Sequence, residues 1–410
     1  MSNKIIEQSL KELSNQFAHI DEIALKNQKK VLNAFKKNKI ALRHFSGSSG
    51  YGYEDTGRSA LSQVFADAFG AEGGIVTPNL VSGTHALTAA LFGLLRPHDK
   101  LVAVSGKPYD TLTDAITGTG GSLADFSVGY EIIPLTSDNQ FDFPSIERVL
   151  KNSRIKMVMV QRSRGYEWRD ALSVPQIAEL AERVKKISPE TIVFVDNCYG
   201  EFLDEAEPTN AGADIMAGSL IKNPGGGIAP TGGYIVGKKD LLKAVEGRIT
   251  SPSIGMEVGS YLGGYLPFFQ GFFLAPHVVA QAAKTALLFS SVLTKSGYDV
   301  LPKPDTAQLD DIVCSVKFDD PKKLIAFCQA VQSVSPVDSF VTPQPWDMPG
   351  YQSQVIMAAG CFVQGASIEL SCDGPIKPPY IAYLQGGLTF EHGKIAAEEC
   401  LLKLADIKIK

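Results

Sequence analysis

A lysine in a glycine-rich loop is the side chain of this 410-residue chain best suited to covalent chemistry. Lys222 lies within Ala217–Gly227, after Ser219 and directly before Asn-Pro-Gly-Gly-Gly. The proline and the glycines exclude a regular helix or strand beyond Lys222 and let a ligand approach the backbone. A lysine held in such a loop can act as a Schiff-base nucleophile when it is desolvated. On this stretch alone, a surface lysine beside a glycine-rich turn is an equally good interpretation.

Two further features fit the same chemistry. Thr191–Asp196 is predicted to be a buried strand with an acid, Asp196, at its carboxyl end. A Schiff-base lysine and an acid for a pyridinium nitrogen are what pyridoxal phosphate requires. Ser82, Gly83 and Thr84 precede a strongly apolar stretch that is predicted to be a helix, and the free N–H groups at a helix N-terminus bind phosphate. This third feature is weak by itself, because serine and threonine cap most helices.

The elements that must position these residues alternate along the chain. Apolar strands and amphipathic helices follow one another through the middle of the sequence, which predicts an α/β fold with a mostly parallel sheet and ligands at the carboxyl ends of its strands. Residues 1–45 are expected to form an N-terminal helical arm and residues 46–276 a large cofactor-binding domain. Residues 277–410 would form a connecting helix, starting at His277, and a small α+β domain with a strand over Ala366–Ser371.

Composition narrows the class of protein. Hydrophobic residues make up 44% and charged residues 20%, as in ordinary globular proteins, and the net charge of −5 argues against nucleic acid as a partner. The N-terminus lacks a signal-peptide pattern, and no uninterrupted apolar run is long enough to cross a membrane. Six scattered cysteines without a C-x-x-C pair fit reduced thiols rather than disulfides or a metal site. We therefore expect a cytoplasmic protein without a bound metal.

Several motifs together resemble a known family. They are the order Ser82-Gly83-Thr84, Tyr109, Asp196 and Ser219-x-x-Lys222, and the stretches Gly50-Tyr-Gly-Tyr-Glu-Asp-Thr-Gly-Arg58, Gln161-Arg-Ser-Arg-Gly-Tyr166 and Asp196-Asn-Cys-Tyr-Gly-Glu-Phe202. The chain resembles the fold-type-I pyridoxal-phosphate enzymes of cysteine and methionine metabolism. Within that group it is most similar to the aluminium resistance, or methionine γ-lyase-like, proteins, from about residue 45 to the end.

The resemblance implies roles for single residues. Lys222 would hold the cofactor and move the Cα proton, and Asp196 would keep the pyridine nitrogen protonated. Tyr109 would stack on the ring and donate a proton. The phosphate would be bound by the residues of the helix start and of the lysine loop, namely Ser82, Gly83, Thr84 and Ser219.

The resemblance also implies that active sites are shared between subunits. Tyr53 and Arg58 would reach the phosphate of the neighbouring subunit's cofactor, which requires a homodimer or a homotetramer. One departure concerns the substrate: the lyases bind its carboxylate through an Arg-x-Ser strand, whereas Ser367–Ser371 contains no arginine. Arg162, Arg164 or Lys377 is expected to replace it, although lysine lacks the bidentate fork of arginine.

The expected function is a carbon–sulfur lyase that acts on a sulfur-containing amino acid. Other reactions of the same cofactor on an amino acid stay open, namely those of an aminotransferase, an aldolase or a racemase. A non-catalytic stress or metal-tolerance protein that retains the fold is the alternative of a different class.

Overall fold

Seven strands form the sheet on which the candidate site is built. The computed structural model describes residues 2–306, 308–348 and 353–409. The strands run in the order β1-β7-β6-β5-β4-β2-β3. They are β1 (Gly73–Thr77), β2 (Lys100–Ala103), β3 (Gly129–Ile132), β4 (Met157–Gln161), β5 (Ile192–Asp196), β6 (Ile215–Ser219) and β7 (Gly233–Gly237). β7 runs antiparallel to both of its neighbours, β1 and β6, and the other neighbouring strands of the described sheet pair in parallel, so the predicted mostly parallel α/β architecture is confirmed.

The register of the central strands places polar ends side by side. Gln161 of β4 pairs with Asp196 of β5, and Asp196 pairs with Ala217 of β6. Ser219 ends β6, and Lys222 follows it in the loop. Because parallel strands end at one edge of the sheet, the predicted acid and lysine come together there.

Helices cover both faces of this sheet. Alternate residues of each buried strand belong to two separate apolar clusters, as with Val193 and Val195 on one face and Ile192 and Phe194 on the other. The helices are α1 (Ser2–Glu12), α2 (Ser14–Lys37), α3 (Thr56–Ala68), α4 (Gly83–Leu94), α5 (Asp110–Thr117), α6 (Phe143–Asn152), α7 (Val174–Ile187), α8 (Lys239–Ile249), α9 (Leu266–Lys295), α10 (Pro321–Ser333) and α11 (Phe390–Ile409).

A second sheet forms the core of the C-terminal part. Its strands are all antiparallel and run in the order β10-β11-β12-β9-β8. They are β8 (Asp299–Leu301), β9 (Val313–Lys317), β10 (Val355–Ala358), β11 (Ser371–Pro375) and β12 (Ile381–Gln385).

Two boundaries differ from the sequence prediction. The long helix α9 begins at Leu266 and continues through Pro276, so the predicted domain boundary after residue 276 falls inside a helix. Phe268, Phe269 and Phe272 are buried on its first turns, and this packing holds the extra segment helical. The predicted strand over Ala366–Ser371 is also wrong, because the chain turns there and β11 starts only at Ser371.

The N-terminal helices lie on the body of the protein. Phe35 of α2 meets Phe269 of α9 edge to face, with ring centroids 5.8 Å apart. Helix α9 is long and apolar enough to cross a membrane, but 72% of its most apolar window is buried inside the protein. This burial marks α9 as a core helix that joins the two sheets and carries the N-terminal helices.

Candidate active site

The N-terminus of α4 forms an anion cradle against the end of β6. Ser82 caps the helix, and its hydroxyl accepts the N–H of His85 at 3.1 Å. The N–H groups of Gly83 and Thr84 have no intrahelical acceptor, because they belong to the first turn. A Cβ atom at Gly83 would lie 2.9 Å from the Cβ atom of Ser219, so only glycine lets the helix approach the buried serine this closely. The cradle therefore combines free amides, a helix dipole and hydroxyl groups, which suits a phosphate.

Tyr109 lies beside this cradle. Its hydroxyl shares a hydrogen bond of 2.9 Å with Oγ1 of Thr84, and its backbone N–H donates to Oε1 of Gln161 at 2.8 Å. Burial raises the pKa of Tyr109 above its ordinary value, and the charge of Asp196 adds to this effect. The phenol is therefore protonated at neutral pH and can serve as a proton donor.

Asp196 is a buried carboxylate at the sheet edge. It is 2% exposed, and its Oδ1 accepts the N–H of Cys198 at 3.1 Å. No arginine or lysine in the described ranges forms an ion pair with it, although the charge of Lys222 acts on it. Burial raises its pKa, and Lys222 opposes this rise. A buried acid of this kind calls for a cationic donor such as a protonated ring nitrogen.

Lys222 is stabilised in its charged form. Its Nζ lies 4.1 Å from the ring centroid of Tyr199. Burial lowers the pKa of Lys222, but Cys198, Tyr199 and Asp196 raise it, and the result lies above the ordinary value for lysine. Because burial raises the pKa of Cys198, this thiol is uncharged at neutral pH, so among the groups that raise the pKa of Lys222 the carboxyl of Asp196 is the strongest acid. The predicted desolvation is present, yet it does not release a neutral amine. A cation placed against Asp196 would compete with Lys222 and lower the pKa of the lysine.

The loop that carries Tyr53 and Arg58 lies at the surface. The side chain of Tyr53 is 65% exposed and packs against Tyr51, with the two rings tilted and their centroids 5.5 Å apart. Arg58 is buried, and its guanidinium donates to the carbonyls of Gly52 and Gly259 at 3.2 and 2.7 Å. The predicted contact of Arg58 with the cofactor of a neighbouring subunit stays a prediction.

The residues predicted to bind the substrate carboxylate are placed differently. Arg164 binds the carboxylate of Asp311 in bidentate fashion, with Nε and Nη2 each donating a hydrogen bond of 3.0 Å. Arg162 is fully buried and donates to Leu172, Asn197 and Gly200. Lys377 lies exposed in the turn between β11 and β12. Internal acids and carbonyls thus hold the two arginines, and the binding of the substrate carboxylate by any of the three stays a prediction.

Sequence reasoning missed several residues around the lysine. Tyr199, under Lys222, has left-handed backbone with φ 72°. Glu201 is fully buried and accepts the hydroxyl of Tyr234 at 2.7 Å, and burial raises its pKa to about 8. Both lie in the motif Asp196–Phe202 directly after β5, and this position is the sequence signal that points to them. Asp373 of β11 also acts electrostatically on this site, and nothing near it in the sequence indicated that.

The donor set fits pyridoxal phosphate. Free amides at α4 suit the phosphate, the half-buried Tyr109 suits the ring, and the unpaired buried Asp196 suits a protonated pyridine nitrogen. Lys222 would supply the covalent link. No group of three or more His, Cys, Asp or Glu side chains that could hold a metal occurs in the described ranges.

Comparisons with known proteins identify the fold and the family of this chain. The pyridoxal-5'-phosphate dependent protein YhfS from Escherichia coli shares the fold, with a TM-score of 0.65, 16% identity and coverage of 94% of this chain and 97% of the other. A sequence model of the methionine gamma-lyase family matches residues 2–405. The chain belongs to this family.

Closer relatives cover almost the whole chain. A carbon-sulfur lyase involved in aluminum resistance from Clostridium novyi NT is 49% identical, with a TM-score of 0.93 and coverage of 98% of this chain and 95% of the other. The uncharacterized protein YnbB of Bacillus subtilis is 51% identical over 381 residues, which are 92% of this chain and 90% of YnbB. These similarities confirm the family resemblance deduced from the sequence motifs.

Proposed function

We propose that this chain is a pyridoxal-phosphate-dependent carbon–sulfur lyase that acts on a sulfur-containing amino acid. The observation that carries the proposal is the meeting of Lys222 and the buried Asp196 at one edge of the sheet, beside the free amides of α4. The membership of the methionine gamma-lyase family and the name of the Clostridium novyi relative support the same reaction class.

The chain would hold the cofactor at three points. The amides of Gly83 and Thr84 and the hydroxyl of Ser219 would bind the phosphate, and Asp196 would accept a hydrogen bond from the ring nitrogen. Bound pyridoxal phosphate would supply an electron sink for the pair of electrons left at Cα. Asp196, as a buried acid that accepts the hydrogen bond of the ring nitrogen, would keep this sink positively charged.

Two side chains would move protons. The amine of Lys222 would take the proton from Cα, because it is the base that the loop holds at the sheet edge. The hydroxyl of Tyr109 would give a proton to the departing sulfur, since its raised pKa keeps it protonated. The products would be a thiol, ammonia and a keto acid.

The assembly and the compartment are part of the proposal. Tyr51, Tyr53 and Leu262 are 71%, 65% and 82% exposed, and Val81, which directly precedes the anion cradle, is 72% exposed. A second copy of the chain that covered these side chains would lie next to the cradle, which supports a homodimer or homotetramer with shared sites. All six cysteines are buried and unpaired, which supports a cytoplasmic location.

The test is an analysis of products from purified holoenzyme and a panel of amino acids. We expect thiol, ammonia and keto acid in equal amounts from a thioether or thiol amino acid, and none of these products from the Lys222→Ala variant. Keto acid without thiol would indicate an aminotransferase. Cofactor binding without turnover of any amino acid would favour the non-catalytic alternative.

A further inference from the structure

One face of the small sheet lies over the loop that follows β4. In the register of this sheet, Asp373 of β11 pairs with Tyr383 of β12, and Tyr383 pairs with Ser315 of β9. The hydroxyl of Tyr383 donates to the carbonyl of Tyr166 at 2.6 Å. Tyr166, Tyr199 and Tyr383 belong to one small apolar cluster, and Tyr199 lies under Lys222. This face therefore packs, through Tyr199, next to Lys222 of the candidate active site.

Asp373 is a buried carboxylate with neutral donors. The hydroxyl of Tyr166 donates to its Oδ2, and Nε2 of Gln385 donates to its Oδ1 at 3.3 Å. It forms no ion pair with any lysine or arginine of residues 2–306, 308–348 and 353–409. Lys222 is the cation whose charge acts on Asp373. Burial raises the pKa of Asp373 to about 6, with Tyr166 and Lys222 opposing, so it is largely ionised at neutral pH.

Two aromatic side chains, Tyr166 and Tyr383, lie beside this carboxylate. The rings of Tyr166 and Tyr383 have centroids 5.0 Å apart. Aromatic faces attract ammonium groups, and a carboxylate next to them adds a charge-assisted hydrogen bond. The position of Lys222 over Tyr199, with an Nζ to centroid distance of 4.1 Å, shows the same preference within the chain itself.

The neighbouring cations do not neutralise Asp373. Arg164 is bound in bidentate fashion to Asp311, and Arg169 pairs with Glu167 at 2.8 Å. The side of the candidate site that the small sheet forms is thus anionic and aromatic. A second carboxylate on a substrate would be repelled there, whereas an ammonium group would supply the missing counter-ion.

We propose that Asp373, with Tyr166 and Tyr383, binds a second ammonium group on the substrate side chain. This inference rests on the proposed function and narrows its substrate class to thioether amino acids that carry an amino group beyond the sulfur. The alternative is that Asp373 has a structural role only, in which its hydrogen bond with the hydroxyl of Tyr166 holds that side chain between the two sheets.

The kinetic test uses two substrates of equal length. S-(2-aminoethyl)-L-cysteine ends in an ammonium group where S-propyl-L-cysteine ends in a methyl group. We expect the holoenzyme to prefer the aminoethyl compound by at least about tenfold in kcat/KM, mainly through KM, because a charge-assisted bond to a buried acid is lost with the methyl group. Asp373→Asn keeps an acceptor for Tyr166 but removes the charge, and should bring the two substrates within about threefold of each other. A holoenzyme without preference, or an equal loss on both substrates in Asp373→Asn, would overturn the proposal.

A second pair of variants keeps the test decisive if Asp373→Asn does not fold. Tyr166→Phe retains the ring and should keep most of the preference, whereas Tyr166→Leu removes the ring and should lose a large part of it. Equal preference in the two Tyr166 variants would contradict a role for the aromatic face.

Binding separates this proposal from the lyase proposal. L-Lysine and L-2-aminoheptanoate have the same length as the two substrates but contain no sulfur. Calorimetry on the holoenzyme should show tighter binding of L-lysine by at least about tenfold, and no difference in Asp373→Asn. If this holds while neither thioether is cleaved, the lyase function fails and the ammonium site stands. If S-propyl-L-cysteine is cleaved and L-lysine has no advantage, the ammonium site fails and the lyase function stands.

Discussion

The Nζ atom of Lys222 lies 4.1 Å from the centroid of the Tyr199 ring, and Tyr199 reaches this position with a left-handed backbone. Such a conformation is unfavourable for a bulky residue and persists only where its surroundings enforce it. Here the turn after β5 places the ring where it stabilises the charged form of the lysine.

Replacement of this ring should accelerate cofactor capture. A cation–π contact contributes about 0.5–2 kcal/mol, so Tyr199→Leu should lower the pKa of Lys222 by about one unit and leave more neutral amine. At pH 8 the apoprotein of this variant should bind pyridoxal phosphate several-fold faster than wild type, followed by absorbance. Tyr199→Phe retains the ring and is the control. Capture by Tyr199→Leu at the wild-type rate or more slowly would refute this role.

Asp196→Asn should permit cofactor binding and impair turnover. Asparagine is nearly isosteric, but it cannot stabilise a protonated ring nitrogen by charge. We expect kcat/KM for the best thioether substrate to fall by more than about tenfold, which corresponds to about 1.4 kcal/mol. Activity closer to wild type, with the cofactor fully bound, would show that Asp196 is not the partner of the ring.

The buried Glu201 should make stability depend on pH. Burial raises its pKa in the folded protein to about 8, from an ordinary value of 4.5. The folded protein therefore binds this proton more tightly than the unfolded chain does. As the pH rises from about 5 to about 8, the unfolded chain releases the proton first, and the free energy of unfolding falls by at most about 1.4 kcal/mol per pH unit. Glu201→Gln stays neutral and keeps a partner for Tyr234. Denaturant unfolding should show that the free energy of unfolding of Glu201→Gln, relative to that of wild type, increases as the pH rises across that range.

A surface control isolates the effect of Glu201. Glu182 is exposed on α7, so Glu182→Gln should follow the wild-type pH profile. Parallel profiles for wild type and Glu201→Gln would mean that Glu201 is ionised in the folded protein.

Shared active sites can be tested by mixing inactive subunits. The double variant Tyr53→Ala, Arg58→Ala lacks the loop groups, and Lys222→Ala lacks the covalent residue. If each site uses the loop of one chain and the lysine of the other, reassembled mixtures should regain about a quarter of wild-type activity, because half of the dimers are hybrids with one complete site. Mixed oligomers that stay inactive, or active monomers on dilution, would contradict sharing.

The large sheet and the residues at its edge could be predicted from the sequence, because the central strands β4, β5 and β6 are largely apolar runs that each end at a polar residue. Asp196 follows four apolar residues, and the glycines after Lys222 exclude regular structure, so both positions could be deduced from the printed chain. Family motifs added Tyr109, which local patterns alone did not single out.

The substrate side of the site could not be deduced in the same way. The sequence offers Arg162 and Arg164 as cations for the substrate carboxylate. Their pairing with groups distant in the chain, such as Asp311 for Arg164, depends on tertiary structure and has no local signal. Asp373 reaches the site only through the register of the small sheet, and the sequence prediction placed a strand too early, over Ala366–Ser371. There Glu369 accepts the N–H groups of Phe362 and Val363 at 2.8 and 2.9 Å, which holds a turn that an apolar alternation pattern does not reveal.

The central claim is that Lys222 holds pyridoxal phosphate covalently. Borohydride reduction of the holoenzyme, followed by peptide mapping, tests it directly, because reduction fixes the cofactor to the lysine that carries it. We predict a pyridoxyl group on Lys222 and no labelled peptide from Lys222→Ala. A label on another lysine, or equal labelling of the Lys222→Ala protein, would contradict the account.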